Sequence, residues 1–304
     1  MNDAVSRIRG SMPAMVTPFT PDVRIDHDAQ RRIVDFFLDS GVHGMVILGS
    51  SGEMQGADWD QRGAAISTVV EAVNGRVPVI AGAGLPNLKA TMEQIKEAEG
   101  AGADAALVVA PYYFPIGQDA IVEWFERLIS ASGIPIMYYH FPRMTKLSAD
   151  PDTVLRLRDV GVAGMKDSGG LTTYLHEVLT RVRDDAGFPV LLGSDYHLVD
   201  ALINGADGCI GLPQNVVPHL SVDIYETFVA GDLEKANRHQ RDAADFLVHL
   251  GAQPSGPAVA KAALEKMGLC SRTMAPPFVE ATNEEADAVW DRIKTYCRVP
   301  AGAA

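Results

Sequence analysis

Gly102-Ala-Asp-Ala-Ala-Leu-Val-Val-Ala110 begins with a glycine and a short polar link and ends in a run of residues apolar on both faces. A strand buried on both faces belongs to a parallel sheet covered by helices. The same opening recurs in Gly41-Val-His-Gly44 and in Gly205-Ala-Asp-Gly208, each just before another apolar run. Glycine there ends the preceding helix in a left-handed turn, and the Asp or His occupies the tight helix-to-strand connection.

Working outward, this reading predicts strands at residues 14–17, 44–48, 77–81, 105–110, 134–139, 162–166, 189–192 and 208–211. Helix-period segments lie between them at 28–39, 58–73, 88–98, 119–131 and 172–184. Strands alternating with helices from end to end predict an α/β fold of the (β/α)8 TIM-barrel type. An open doubly wound sheet is the competing fold, but no GxGxxG opens a first helix, and Gly82-Ala-Gly84 is too short to stand for one. After the eighth strand the pattern turns helical at 222–229, 233–250, 257–266 and 283–297. The expected division is a barrel over 1–221 carrying the active site and a C-terminal helical extension over 222–304 packed on it.

The chain has 304 residues, 47% of them hydrophobic, and a net charge of −13. An acidic surface of that kind repels nucleic acid and anionic membranes, so neither is an expected partner. Cys209, Cys270 and Cys297 are odd in number and far apart, which suits reduced thiols rather than a disulfide framework or a zinc site. The histidines form no HExxH, and no metal is expected. The first ten residues lack the apolar core of a signal peptide, and no apolar run approaches the ~18 residues of a membrane span. A cytoplasmic location follows as the expectation.

In a (β/α)8 barrel the chemistry sits where the strands end. Here those ends carry Gly49-Ser-Ser-Gly-Glu53, Pro111-Tyr-Tyr113, Tyr138-Tyr-His140, Lys166-Asp-Ser-Gly-Gly170 and Gly193-Ser-Asp195. Lys166 closes the apolar run Gly161-Val-Ala-Gly-Met-Lys166, whereas the other lysines, Lys261 among them, lie in stretches where an ammonium can stay wet. Burial penalises the ammonium, and a free amine in a pocket attacks a ketone to form a Schiff base. The competing reading is a lysine that snorkels from a strand end to pair with Asp167. The 49–53 loop can offer amides and two hydroxyls to a carboxylate, or its serines can simply cap the next helix. Glu53 is read by default as solvent-facing or turn-stabilising. One of Tyr138 and Tyr139 must point into the barrel. Asp195 can bind substrate hydroxyls or hold a loop.

Together these features resemble the dihydrodipicolinate synthase / N-acetylneuraminate lyase family of pyruvate-type class I aldolases. The resemblance runs from about Ser11 to about Lys235. It rests on Val16-Thr-Pro-Phe19, Gly49-Ser-Ser-Gly-Glu53, Ala81-Gly-Ala-Gly84, Pro111-Tyr-Tyr113, Tyr139-His-Phe-Pro142 and Gly164-Met-Lys-Asp-Ser-Gly169. It implies Lys166 as the Schiff-base lysine, Tyr139 as the proton relay, and Ser50 and Tyr113 as partners in that relay, Tyr113 reaching into a neighbouring subunit. Ser51 would bind the pyruvyl carboxylate and Ile210 would turn its carbonyl to the site. The resemblance further implies a homotetramer, a dimer of dimers, that uses no cofactor beyond the covalent substrate imine.

The departures bear on substrate. Where true dihydrodipicolinate synthases carry Tyr-Asn-Val-Pro-Ser-Arg-Thr, this chain reads Tyr139-His-Phe-Pro-Arg-Met-Thr145. The arginine that would grip a second carboxylate falls on Met144, with Arg143 one position early, and His140 stands in place of asparagine. Gly193-Ser-Asp195 looks more like the sugar-acid branch, in which the aspartate binds hydroxyls, although Tyr196 follows where that branch often places an acid. Ser168 is positioned to hydrogen-bond the aldehyde portion. The leading expectation is a Schiff-base lyase acting on a 2-oxo acid, an aldolase or dehydratase with pyruvate as product or donor. The alternatives are a 4-hydroxy-tetrahydrodipicolinate synthase in which Arg143 substitutes for the missing arginine, and a keto-acid-binding barrel without catalysis.

Overall fold

A computed structural model describes residues 3–298 except 184, 186 and 252–254. Eight strands form one parallel sheet: β1 (Gly10–Pro13), β2 (Met45–Ile47), β3 (Val79–Ala83), β4 (Ala105–Val109), β5 (Ile136–His140), β6 (Met165–Asp167), β7 (Val190–Leu192) and β8 (Gly208–Gly211). Their order around the sheet is β1-β8-β7-β6-β5-β4-β3-β2. The seam between β1 and β2 closes through a parallel bridge from Ala14 to Val46, with Met15 N donating to Val46 O at 2.9 Å. The expected (β/α)8 barrel is the fold.

The recurrent Gly-x-Asp/His link has a mechanical role that its three copies share. Asp104 and Asp207 accept the backbone N–H of Val79 and Val190 at 2.8 and 2.9 Å, and His43 Nδ1 accepts that of Ser11 at 3.1 Å. The backbone N–H of the same three residues donates to Val79, Val190 and Ser11 in return, each at 2.9 Å. Each link therefore pins the incoming strand in register on the one before it.

Alternation along the strands sorts the core into layers. Leu107 and Val109 of β4, Met137 and Tyr139 of β5, Leu191 and Ile210 fill the barrel interior. Ala106, Val108, Ile136 and Tyr138 face the helical shell instead. Tyr138 meets Phe125 there edge to face, 5.4 Å between ring centres. Caps set the helix starts: Asp26, Asn87 and Asp150 accept from Ala29, Ala90 and Thr153 respectively.

Several boundaries differ from expectation. The first strand is Gly10–Pro13, not 14–17. Proline discourages a strand reading, but the N–H that Pro13 lacks would face the β2 seam, where the ladder is nearly absent. Helices Pro142–Thr145, Pro151–Asp159 and Leu198–Ile203 were not expected. The helix after β8 runs Pro218–Val229, so the boundary expected at 222 falls inside it, and Leu233–Leu250, Gly256–Lys266 and Asn283–Ile293 follow. Residue 184, the expected end of the helix observed as Thr172–Val182, lies outside the described residues.

Candidate active site

The strand ends surround a cavity of about 760 Å³. Lys166, Tyr139, Ser50, Ser51, Arg143, Ser168, Gly193 and Ile210 all line it. Lys166 of β6 is in register with Tyr139 of β5, and its Nζ lies 4.5 Å from the centre of the Tyr139 ring. Both are nearly buried, at 5% and 6% exposure, so amine and phenol share a confined space. The wall continues as a stack. Phe141 lies 5.3 Å from Tyr139 with rings 20° apart, and the Arg143 guanidinium carbon is 5.7 Å from the Phe141 centre. Arg143 and Met144 share the short helix Pro142–Thr145 and both face the cavity.

Ser50 and Ser51 sit on a turn bracketed by two non-glycine residues in the left-handed region, Leu48 and Glu53, both at φ 53°. Such backbone persists only where the surroundings over-determine it. Thr17 Oγ1 donates to Gly52 O at 2.6 Å on one side of the turn. On the other, Glu53 is fully buried, its Oε2 accepting from Ala275 N at 2.9 Å and its Oε1 paired with the equally buried Lys261. Of the two readings given to Glu53, the structure shows the turn-stabilising one and not the solvent-facing one, and the expectation for Lys261 is corrected, since it does not stay wet. Burial raises the Glu53 pKa and lowers that of Lys261, and each charge opposes the shift in the other.

The loop after the lysine is held from beneath. Asp167 Oδ1 accepts from Gly169 N at 2.8 Å and lies 2.6 Å from His140 Nδ1, while His140 Nε2 meets Ser148 Oγ at 2.9 Å. The His140 ring stacks on Tyr174, 4.3 Å between centres. Asp167 thus pairs with His140, and the expected alternative of an Asp167–Lys166 pair is not formed. Gly193 is a spatial necessity: a Cβ there would lie 1.9 Å from Ser168 Oγ and 2.8 Å from Asp167 O.

Two expected site residues lie elsewhere. Asp195, at 2% exposure, does not line the cavity. Its carboxylate accepts from Gln214 Nε2 and Ser221 Oγ, both at 3.0 Å, and a Cβ on Gly211 would approach Oδ1 to 2.3 Å. Burial raises its pKa. Two donors and a glycine-shaped niche occupy the carboxylate, which favours the loop-holding alternative of the two expected for Asp195. Tyr113 projects outward at 82% exposure with φ 86°, edge to face with Phe114.

The sequence reading passed over the His140–Asp167 and Glu53–Lys261 pairs and the contribution of the C-terminal extension. Ser255, Gly256, Pro257 and Phe278 all line the cavity. Ser255-Gly-Pro257 is a legible helix start, with Ser255 capping Ala258 N and proline in the first turn, but nothing local says that it faces the site.

An amine and a phenol side by side at the C-terminal mouth of a (β/α)8 barrel, beside a hydroxyl-bearing turn, define an enzyme of the lyase type. The chain belongs to the dihydrodipicolinate synthetase family, which it matches over residues 7–296. It is 32% identical over 299 residues to a 4-hydroxy-tetrahydrodipicolinate synthase of Methanopyrus kandleri, covering 97% of this chain and 99% of that one. It is 29% identical over 289 residues to a probable 2-dehydro-3-deoxy-D-pentonate aldolase, YjhH, of Escherichia coli, covering 94% and 96%. The crystal structure of YagE from E. coli K12, a dihydrodipicolinic acid synthase family protein in complex with pyruvate, superposes with a TM-score of 0.90. That match has 28% identity and covers 95% of this chain and 98% of the other.

Proposed function

We propose that this chain is a Schiff-base-forming lyase that cleaves or dehydrates a 2-keto-3-deoxy-type acid, with pyruvate as product or donor. The observation that carries the reading is the Lys166–Tyr139 pair facing the cavity beside Ser50 and Ser51. The Lys166 amine adds to the C2 ketone, and loss of water gives a protonated imine that accepts an electron pair. Tyr139 takes the proton from the C4 hydroxyl as the C3–C4 bond breaks, which leaves an enamine on Lys166 and releases an aldehyde. Protonation of the enamine and hydrolysis of the imine then free pyruvate and the amine. If a C3 proton is removed instead, the same imine forms an enamine that expels the protonated C4 hydroxyl as water, which is dehydration. Ser51 and the loop amides hold the carboxylate, and Ser50, with Tyr113 of a neighbouring subunit, tunes the phenol. The electron sink in this chemistry is the lysine imine, so the mechanism calls for no metal or organic cofactor.

A second reading, condensation of pyruvate with aspartate semialdehyde, is favoured by Arg143, which lines the cavity although it stands one position early. The homotetramer is proposed on Tyr113 and Phe114, which are 82% and 72% exposed and fit a neighbouring subunit better than solvent. No helix among the described residues is long and apolar enough to cross a membrane. With three free thiols, the chain is proposed to work in the cytoplasm.

Borohydride reduction with pyruvate, followed by peptide mass mapping, tests the mechanism. A pyruvyl adduct on Lys166, absent in Lys166→Arg, is the expected result. No adduct at saturating pyruvate overturns the mechanism and leaves a keto-acid-binding barrel. Turnover with aspartate semialdehyde decides between the two substrate readings.

A further inference from the structure

The turn that carries Ser50 and Ser51 is tied to the C-terminal extension by a buried ion pair. Glu53 ends the turn in the left-handed region at φ 53° and is 0% exposed. Its Oε1 pairs with Lys261, also 0% exposed, and its Oε2 accepts the Ala275 N–H at 2.9 Å. Lys261 Nζ donates further to Thr273 O at 2.7 Å and lies 4.4 Å from the centre of the Phe19 ring. The contact is also close-packed, since a Cβ on Gly56 would lie 2.8 Å from the Ala275 Cβ. Lys261 belongs to the helix Gly256–Lys266, whose first residues border the cavity. One helix therefore forms part of the cavity wall and anchors the turn on which the two serines stand.

A buried ion pair is a costly way to obtain stability, because desolvation offsets most of the attraction, and packed apolar residues often serve as well. What the pair supplies that an apolar contact does not is direction. Two oxygens of Glu53 are held by donors on different parts of one segment, which leaves its backbone, and hence the preceding Ser50–Gly52 amides, a single orientation. We infer that Lys261 is a positioning residue which, acting through Glu53, sets the affinity of the Ser50–Ser51 turn for the carboxylate of the oxo acid. The C-terminal extension is then part of the active site rather than packing alone. The inference rests on the proposed 2-oxo acid reading for its ligand and on geometry for the clamp.

The test uses the full chain with Glu53→Gln, Lys261→Met, the double variant, and Lys266→Met as a control on the exposed end of the same helix, where Lys266 pairs with Asp287. Lys261→Met leaves Glu53 buried and unpaired and can fail to fold. The double variant is neutral and nearly isosteric, and it keeps the inference testable. Borohydride trapping across pyruvate concentrations gives the half-saturating concentration and the limiting rate. The double variant is expected to need about tenfold more pyruvate with its limiting rate within about threefold, the scale on which small misplacements of binding groups act. Hydrogen–deuterium exchange over residues 49–54 is expected to quicken in the double variant and stay native in Lys266→Met. Native half-saturation, or native exchange over this turn, in a folded double variant overturns the inference. Should the wild type form no pyruvyl adduct, the Schiff-base reading fails by itself, and the exchange measurement still decides the clamp.

Discussion

His140 Nδ1 lies 2.6 Å from Asp167 Oδ1, beneath the loop that follows Lys166. Both residues are nearly buried, and Asp167 is also the acceptor for the Gly169 N–H. His140→Ala strips Asp167 and Ser148 of a partner. Equilibrium denaturation is expected to show a loss of ~1–3 kcal/mol, the cost of a buried polar group left unsatisfied. His140→Asn, which can still donate to Asp167, should lose less. Equal losses in both variants would mean that the ring stacked on Tyr174 matters more than the hydrogen bond.

Tyr139 shares its confined space with Lys166, and the proposed mechanism assigns its hydroxyl the proton transfers at the bound substrate. Tyr139→Phe keeps the stack with Phe141 and removes only that hydroxyl. The turnover number is expected to fall by about 10²–10⁴-fold, the usual contribution of a positioned acid–base group. The folded stability should change little. A variant with near-native turnover would transfer the role to another group.

Asp195 separates a scaffold role from a substrate role. Asp195→Asn turns an amide N–H₂ toward Gln214 Nε2 or Ser221 Oγ, each of which now donates to the carboxylate. A stability loss of ~1–3 kcal/mol is expected, from one unsatisfied buried donor. The KM for a hydroxylated oxo acid should stay native in the folded variant. A raised KM with native stability would return Asp195 to the substrate.

His219, on the helix Pro218–Val229, has its pKa pushed down to about 4, first by burial and then by Arg298, with Asp223 opposing. Its ordinary value is 6.5, so between those two values the unfolded chain binds more protons than the folded one. Stability contributed by neutral His219 is therefore present above about 6.5 and is lost as pH falls toward 4. Thermal melting across this window should show a declining midpoint. His219→Gln, which cannot titrate, should show a shallower decline, and an unchanged slope would assign the acid sensitivity to other groups.

What could be read from the chain alone followed from short-range rules. Strand alternation and the Gly-x-Asp link are local patterns, and the barrel and its strand ends came from them, whereas Arg143, Ile210 and the choice of Tyr139 over Tyr138 came from the resemblance to a known family; all three line the cavity. The first strand was misplaced because its bounds are set by pairing with β8, a partner distant in sequence. The apolar run before Lys166 already predicts its burial, but tertiary structure alone decided the fate of the other charged groups. Lys261, in a stretch that reads as wet, is taken out of water by distant segments. Glu53 meets Lys261 across 208 positions of sequence, and no spacing rule spans that distance. Asp195 had an open reading until Gln214 and Ser221 closed around it. Local sequence determines which way a strand residue points, because the backbone period sets it. Which partner it finds there is set by segments that only folding brings together.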